Sequence, residues 1–218
     1  MKHIANLLFA LVALPLAAQQ PQSASDELRE VLRVEPVLRD GAQVFKACVA
    51  CHGHDGNGTP EGNVPVIAEQ HQRVIAKQLV DYRHADRWDV KMEEVVGRHN
   101  LAGPHDIADV SAYVASLPRT AQPGFGDGRN AALGKSLYTR DCQSCHGADG
   151  EGNGVTQVPR LAGQHYRYLL RQLHDTLEER RPNMPPPHRA LLGDLGVDEL
   201  TGLADYLSRM QPPRHVVH

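Results

Sequence analysis

The chain has 218 residues, 41% hydrophobic and 22% charged, with a formal net charge of −3, which leaves room for one large or two small folded units. It shows no basic stripe, and its aromatic content of 5% supplies no stacking platform, so nothing in it points to nucleic acid. Only four cysteines are present.

Lys2 and His3 form a short basic start, Ile4 to Leu16 is mostly apolar, and Leu16-Ala17-Ala18 suits signal cleavage. Residues 1–18 therefore read as a secretory signal peptide and predict a periplasmic protein. The apolar run falls short of the about 20 residues of a membrane span, and anchoring by an uncleaved leader is the alternative. Residues 19–40 form an N-terminal extension, in which a helix is expected up to Glu35, broken at Pro36. The sequence assigns that extension no role. Charge is uneven: residues 26–118 hold 15 acidic and 10 basic side chains, whereas 119–218 hold 11 and 12. Scattered solvated charge accounts for this as well as a docking dipole does.

Two pentapeptides carry the chemistry: Cys48-Val49-Ala50-Cys51-His52 and Cys142-Gln143-Ser144-Cys145-His146. Cys-x-x-Cys-His is the attachment signature of c-type haem. On a helix, positions i, i+3 and i+4 share one face, so two sulfurs and one imidazole can meet one porphyrin. The motifs use all four cysteines. A zinc ribbon needs its Cys pairs roughly 15–20 residues apart, a thioredoxin-like motif needs a βαβ setting, and local disulfides leave the repeated His unexplained. Two covalent haems c, with iron held by His52 and His146, are expected.

The halves repeat each other. Residues 48–58 match 142–152 at 7 of 11 positions, and 64–79 match 158–173 at 8 of 16, both at an offset of 94. Residues 106–117 pair with 199–210 at an offset of 93. The reading is all-α: domain 1 over 41–118, a Pro/Gly-rich linker over 119–128, domain 2 over 129–212 and a tail over 213–218. Gly41 and Phe45, like Gly134 and Tyr138, sit in the helix leading to each motif, and Gly-rich loops follow His52 and His146. Tyr168, Leu169, Gln172 and Leu173 mark the next helix. Ile107, Val110, Tyr113 and Val114, and their counterparts Leu200, Leu203, Tyr206 and Leu207, mark the last one of each half. Domains of about 90 residues are marginal alone, so a haem-free form is expected to be largely unfolded.

The sixth iron ligand is sought among four methionines. Met1 belongs to the leader, and Met210 pairs with Leu117 as a helix end. Met92 and Met184, 40 and 38 residues beyond His52 and His146, remain as the axial candidates. Histidine is the rival: His71 and His165 occupy equivalent positions, where a cap or surface role is the simpler reading. His54, His84, His99, His105, His174, His188, His215 and His218 show no ligand logic.

Two haem motifs, V-P-x-[IL]-A-x-Q-H in each half and a downstream Met in each half resemble the periplasmic dihaem cytochrome c4 family, from about Gly41 to Met210. The resemblance implies two tandem cytochrome c folds, each wrapped around a covalent haem c, with first and last helices crossed. It places Gly41 and Phe45 near Tyr113, and Gly134 and Tyr138 near Tyr206. It also implies that the carbonyls of Pro65 and Pro159 accept the ligand His N–H, and that Arg160 contacts a haem propionate. The first half departs from the pattern, with Val66 and Glu69 where the second has Arg160 and Gly163.

Haem capped on both sides exchanges electrons without offering a substrate site. The expected role is an electron carrier, not an enzyme, between a quinol-oxidising complex or dehydrogenase and a terminal oxidase or reductase. Its partners would be periplasmic redox proteins or membrane respiratory complexes, with no nucleic acid and no small-molecule substrate. The alternative is a dihaem subunit or catalytic component of a periplasmic oxidoreductase or peroxidase, which would need an open iron.

Overall fold

The computed structural model describes residues 23–119 and 123–211. The expected leader, and the tail with His215 and His218, lie outside them. All regular secondary structure among the described residues is helical, apart from one isolated bridge between Asn153 and Val158. No described helix is long and apolar enough to cross a membrane.

Helix α1 (Ala24–Val31) starts where the Ser23 side chain accepts the Asp26 N–H at 3.2 Å. It stops at Val31, four residues before the expected end. Pro36 disfavours helical geometry at Glu35, and the Val37 N–H turns to Asp109 Oδ1 at 2.7 Å. The extension is also no appendage. Val31 is buried in the core of the first half, and Glu27, 0% exposed, pairs with Arg83, with His84 at 2.6 Å and with Arg98 at 3.7 Å.

The first half continues with α2 (Leu38–Val44), a 3₁₀ turn (Phe45–Ala47), α3 (Val49–His52), α4 (Gln72–Arg83), α5 (Val90–Val95) and α6 (Pro104–Ser116). The second repeats the order: α7 (Ala131–Leu137), a π turn (Tyr138–Cys142), α8 (Gln143–His146), α9 (Tyr166–Leu177), α10 (Pro186–Gly193) and α11 (Val197–Arg209). The first and last helices of each half cross where glycine is required. A Cβ on Gly41 would overlap the Asp109 carbonyl, and one on Gly134 would overlap that of Gly202. Beside each crossing lies an aromatic pair, Phe45 on Tyr113 with ring centres 5.4 Å apart and Tyr138 on Tyr206 at 5.7 Å. Ile107, Val110 and Val114, and Leu200, Leu203 and Leu207, turn inward as their spacing predicts. Met210 caps α11 and packs in the second core.

The halves meet through a junction that obeys the repeat. Gln164 donates to the Val66 carbonyl at 2.7 Å and accepts the Val66 N–H at 2.9 Å. Its counterpart Gln70 does the same to Arg160, at 3.0 and 2.9 Å. His71 Nε2 lies 2.8 Å from the Glu151 carbonyl, and His165 Nε2 lies 2.9 Å from that of Asn57. The Gly124 N–H occupies His165 Nδ1 at 3.0 Å, so Nε2 carries the proton that Asn57 accepts. Arg119 sits between the halves and donates to the equivalent carbonyls of Ala68, at 3.2 Å, and Ala162, at 2.5 Å. The cap or surface role expected for His71 and His165 is therefore corrected. Neither side chain caps its helix, both bond across the junction, and His165 is 2% exposed.

Two outcomes follow for stability. Burial pushes the Glu27 carboxyl up, but hydrogen bonds from His84 and Arg83 and the charges of Arg83 and Arg98 outweigh it and hold the pKa below the usual range. A depressed folded-state pKa stabilises the fold above the unfolded value of about 4.3, and that contribution is lost as pH falls through the folded value. Glu27→Gln is expected to cost about 3 kcal/mol at pH 7, a difference from wild type that narrows below about pH 4 in denaturant titrations. Gln164→Ala leaves the Val66 N–H and carbonyl buried without partners and is expected to cost about 2 kcal/mol, read from the same titrations.

Candidate haem sites

Each Cys-x-x-Cys-His segment forms a single helical turn. Cys48 and Cys142 are half-buried, Cys51 and Cys145 are exposed, and none of the four is in a disulfide. Burial, then the neighbouring Cys51, pushes the Cys48 thiol up to about 11, while burial, then Asp141, does the same for Cys142. The turn ends abruptly at Gly53 and Gly147, with φ of +76° and +85°. Two more left-handed glycines follow in each loop, Gly56 and Gly58, then Gly150 and Gly152. Side chains resist this conformation, and the run of three folds the chain back over the histidine. The His52 carbonyl accepts from Gly58 N at 3.0 Å and the Gly56 carbonyl from Ile67 N at 2.8 Å; His146 with Gly152 and Gly150 with Leu161 repeat both bonds at 2.8 Å.

That fold-back places the carbonyl of Pro65 3.3 Å from His52 Nδ1, and that of Pro159 3.1 Å from His146 Nδ1. A carbonyl only accepts, so Nδ1 carries the proton in each ring and Nε2 keeps its lone pair. Both imidazoles are 6% exposed. Burial, opposed by the Pro65 bond and Asp89, lowers the His52 pKa; burial, opposed by the Pro159 bond and joined by His188, lowers that of His146. Both rings are thus neutral near pH 7, and neither Nε2 has a hydrogen-bond partner among the described residues.

The segments beyond differ. Met92 lies in the first turn of α5, where Asp89 accepts its N–H at 3.2 Å, and packs with Cys48 on the first core. Met184 is half-buried in the turn before α10, its N–H on the Arg181 carbonyl at 3.0 Å, and joins neither core cluster. Against His146 stands His188 instead, with ring centres 6.0 Å apart and planes at 77°. His188 showed no ligand logic in the sequence. Arg160 turns across the junction to Glu69 at 3.1 Å with its side chain 3% exposed.

Unpaired thiols flanking neutral imidazoles with open lone pairs suit a covalently held metalloporphyrin. A further observation agrees. Arg181, whose pKa burial and then Arg87 lower to about 10, keeps a buried Nε without a partner, as a site built for an anionic group such as a propionate would.

The family model described as cytochrome c matches residues 38–118 and again 131–211. Cytochrome c4 of Azotobacter vinelandii is 34% identical over 150 residues, covering 62% of this chain and 70% of that protein. The thiosulfate dehydrogenase electron acceptor of Stutzerimonas stutzeri is 29% identical over 205 residues, covering 83% and 90%. The crystal structure of reduced cytochrome c4 from Pseudomonas stutzeri superposes with a TM-score of 0.71 at 27% identity, covering 81% of this chain and all of that one. The chain belongs to the cytochrome c family as a two-domain, c4-like dihaem cytochrome, one haem c being joined to Cys48 and Cys51 and the other to Cys142 and Cys145.

Proposed function

We propose that the protein moves electrons in the periplasm from a quinol-oxidising complex or a dehydrogenase to a terminal oxidase or reductase. The observation that carries this reading is the pair of buried neutral imidazoles, each pinned at Nδ1 by a proline carbonyl and each beside two cysteines held outside any disulfide. The haems supply reversible one-electron exchange at iron. The chain's own residues supply the rest. Cys48, Cys51, Cys142 and Cys145 hold the groups irreversibly, which suits an exported protein. His52 and His146 would each bind a haem iron, and the bonds to Pro65 and Pro159 would fix their orientation and raise their donor strength. Met92, on a helix whose N-terminus Asp89 caps, would supply the second ligand to the first haem. Met184, in the turn before α10, would supply the second ligand to the second haem.

With two protein ligands to each iron, neither centre would offer a position to a substrate, which suits a carrier. The relative named as a thiosulfate dehydrogenase electron acceptor favours a second reading within this one, service to a single dehydrogenase. Stopped-flow oxidation of the fully reduced protein distinguishes them. A general shuttle exchanges electrons with several periplasmic redox proteins at comparable rates, and a dedicated acceptor with one.

Met92→Ala is expected to remove the sulfur-to-iron charge-transfer band of the first haem, lower its potential and open its iron to carbon monoxide. A redox titration with optical and EPR detection checks this, and an unchanged spectrum would remove Met92 from the site.

A further inference from the structure

The segment that reaches the junction repeats in both halves, with one exchange in its backbone. Ala68 and Ala162 are equivalent, and Arg119 takes the carbonyls of both. The next residue is Gly163 in the second half, with φ of +65°, and Glu69 in the first, with φ of +54°. A left-handed backbone is open to glycine and costs a residue that carries a Cβ. Ala85 and Glu179 adopt it too, but each lies just past a helix end, where that conformation terminates the helix. Glu69 ends no helix. Glycine suits this place in the repeat, and a glutamate stands in it.

What the glutamate does lies across the junction. Its Oε2 accepts from Arg160 Nη1 at 3.1 Å, and the Arg160 side chain is 3% exposed. Arg119 lies beside them. Burial, then the charge of Arg160, lowers the Arg119 pKa to about 10, and the Glu69 carboxylate opposes that fall. A charge stripped of its partner in such a setting is far more costly than a paired one. The position equivalent to Arg160 is Val66. The two departures of the first half from the repeat, Val66 and Glu69, are therefore one feature: the acid added to the first half meets the base kept in the second.

The same two segments are joined twice. Arg160 directly follows Pro159, whose carbonyl holds His146, and its own N–H and carbonyl are bound by Gln70, the neighbour of Glu69. A shift of the ion pair is thus a shift of the peptide groups beside the second imidazole.

We propose that Glu69 is a positioning residue for electron transfer, a carboxylate held on a strained backbone to neutralise the arginines between the domains and so to fix how the two haem domains dock. Its consequence for electron passage rests on the carrier reading; its consequence for docking does not.

The test uses the full chain from a haem-competent host, with two haems per chain verified by mass. Denaturant midpoints and both reduction potentials are read on wild type, Glu69→Gly, Glu69→Gln, Arg160→Met and the double variant Glu69→Gln/Arg160→Met. Relief of the left-handed strain alone would raise the folding constant roughly five- to thirtyfold, so a glutamate that is merely tolerated gives Glu69→Gly a higher midpoint than wild type. The proposal gives it a lower one. Glu69→Gln keeps the shape and removes the charge. Its midpoint should fall, and the potentials should rise, because a junction one unit more positive favours reduced iron. Adding Arg160→Met should bring midpoint and potentials back toward wild type, since a pair removed whole strands no charge. A purely steric role for Glu69 gives no such recovery. An unchanged or raised midpoint in Glu69→Gly overturns the proposal, as does a double variant that loses as much as the two single variants added together. Unchanged potentials in Glu69→Gln overturn it too. A mass short of two haems sinks the attachment reading alone, and the midpoints still decide whether Glu69 fastens the junction.

Discussion

The fold turns on two adjacent peptide groups in each half. The carbonyl of Pro65 holds His52, and the next residue, Val66, gives its N–H and carbonyl to Gln164 of the other half. Pro159 and Arg160 do the same for His146 and Gln70. One short segment therefore orients an axial imidazole and fastens the domains together. The three left-handed glycines upstream exist to bring that segment back over the histidine, since no other residue type adopts those angles cheaply. Displacing the junction would strain the ligand bond, so the geometry of each metal centre and the docking of the domains are one structural variable.

What could be read from the chain alone was what depends on local spacing. The attachment motifs, the repeat and the inward faces of α6 and α11 follow from short intervals, and the crossing at Gly41 and Gly134 came from the family resemblance. What escaped depends on distant parts meeting. Gln70, His71, Gln164 and His165 repeat identically, and that identity was a signal, but nothing near them in sequence names their partners. The extension around Glu27 looked idle because Arg83, His84 and Arg98 reach it only across the fold. The contact of His188 with His146 was not legible either, because eight residues between α9 and α10, against six between α4 and α5, shift that helix relative to its repeat counterpart.

Breaks in the symmetry of the junction set the electrostatics around the two centres. Arg87, 5% exposed, is satisfied by the Tyr168 hydroxyl at 2.7 Å and by Gln78 and Gln172, and it lies 4.6 Å over the ring of Tyr82. Its repeat partner Arg181 has a buried Nε with nothing to bond, and Arg87 itself helps to lower its pKa. Two guanidinium groups at close quarters in a buried setting repel unless an anion is shared between them. Asp81, held by Lys77 at 2.5 Å and by Asn183 at 2.6 Å, is committed elsewhere. An anion such as a haem propionate reaching Arg181 would balance that charge, so one interaction would both relieve the buried guanidinium pair and hold the second haem at the junction.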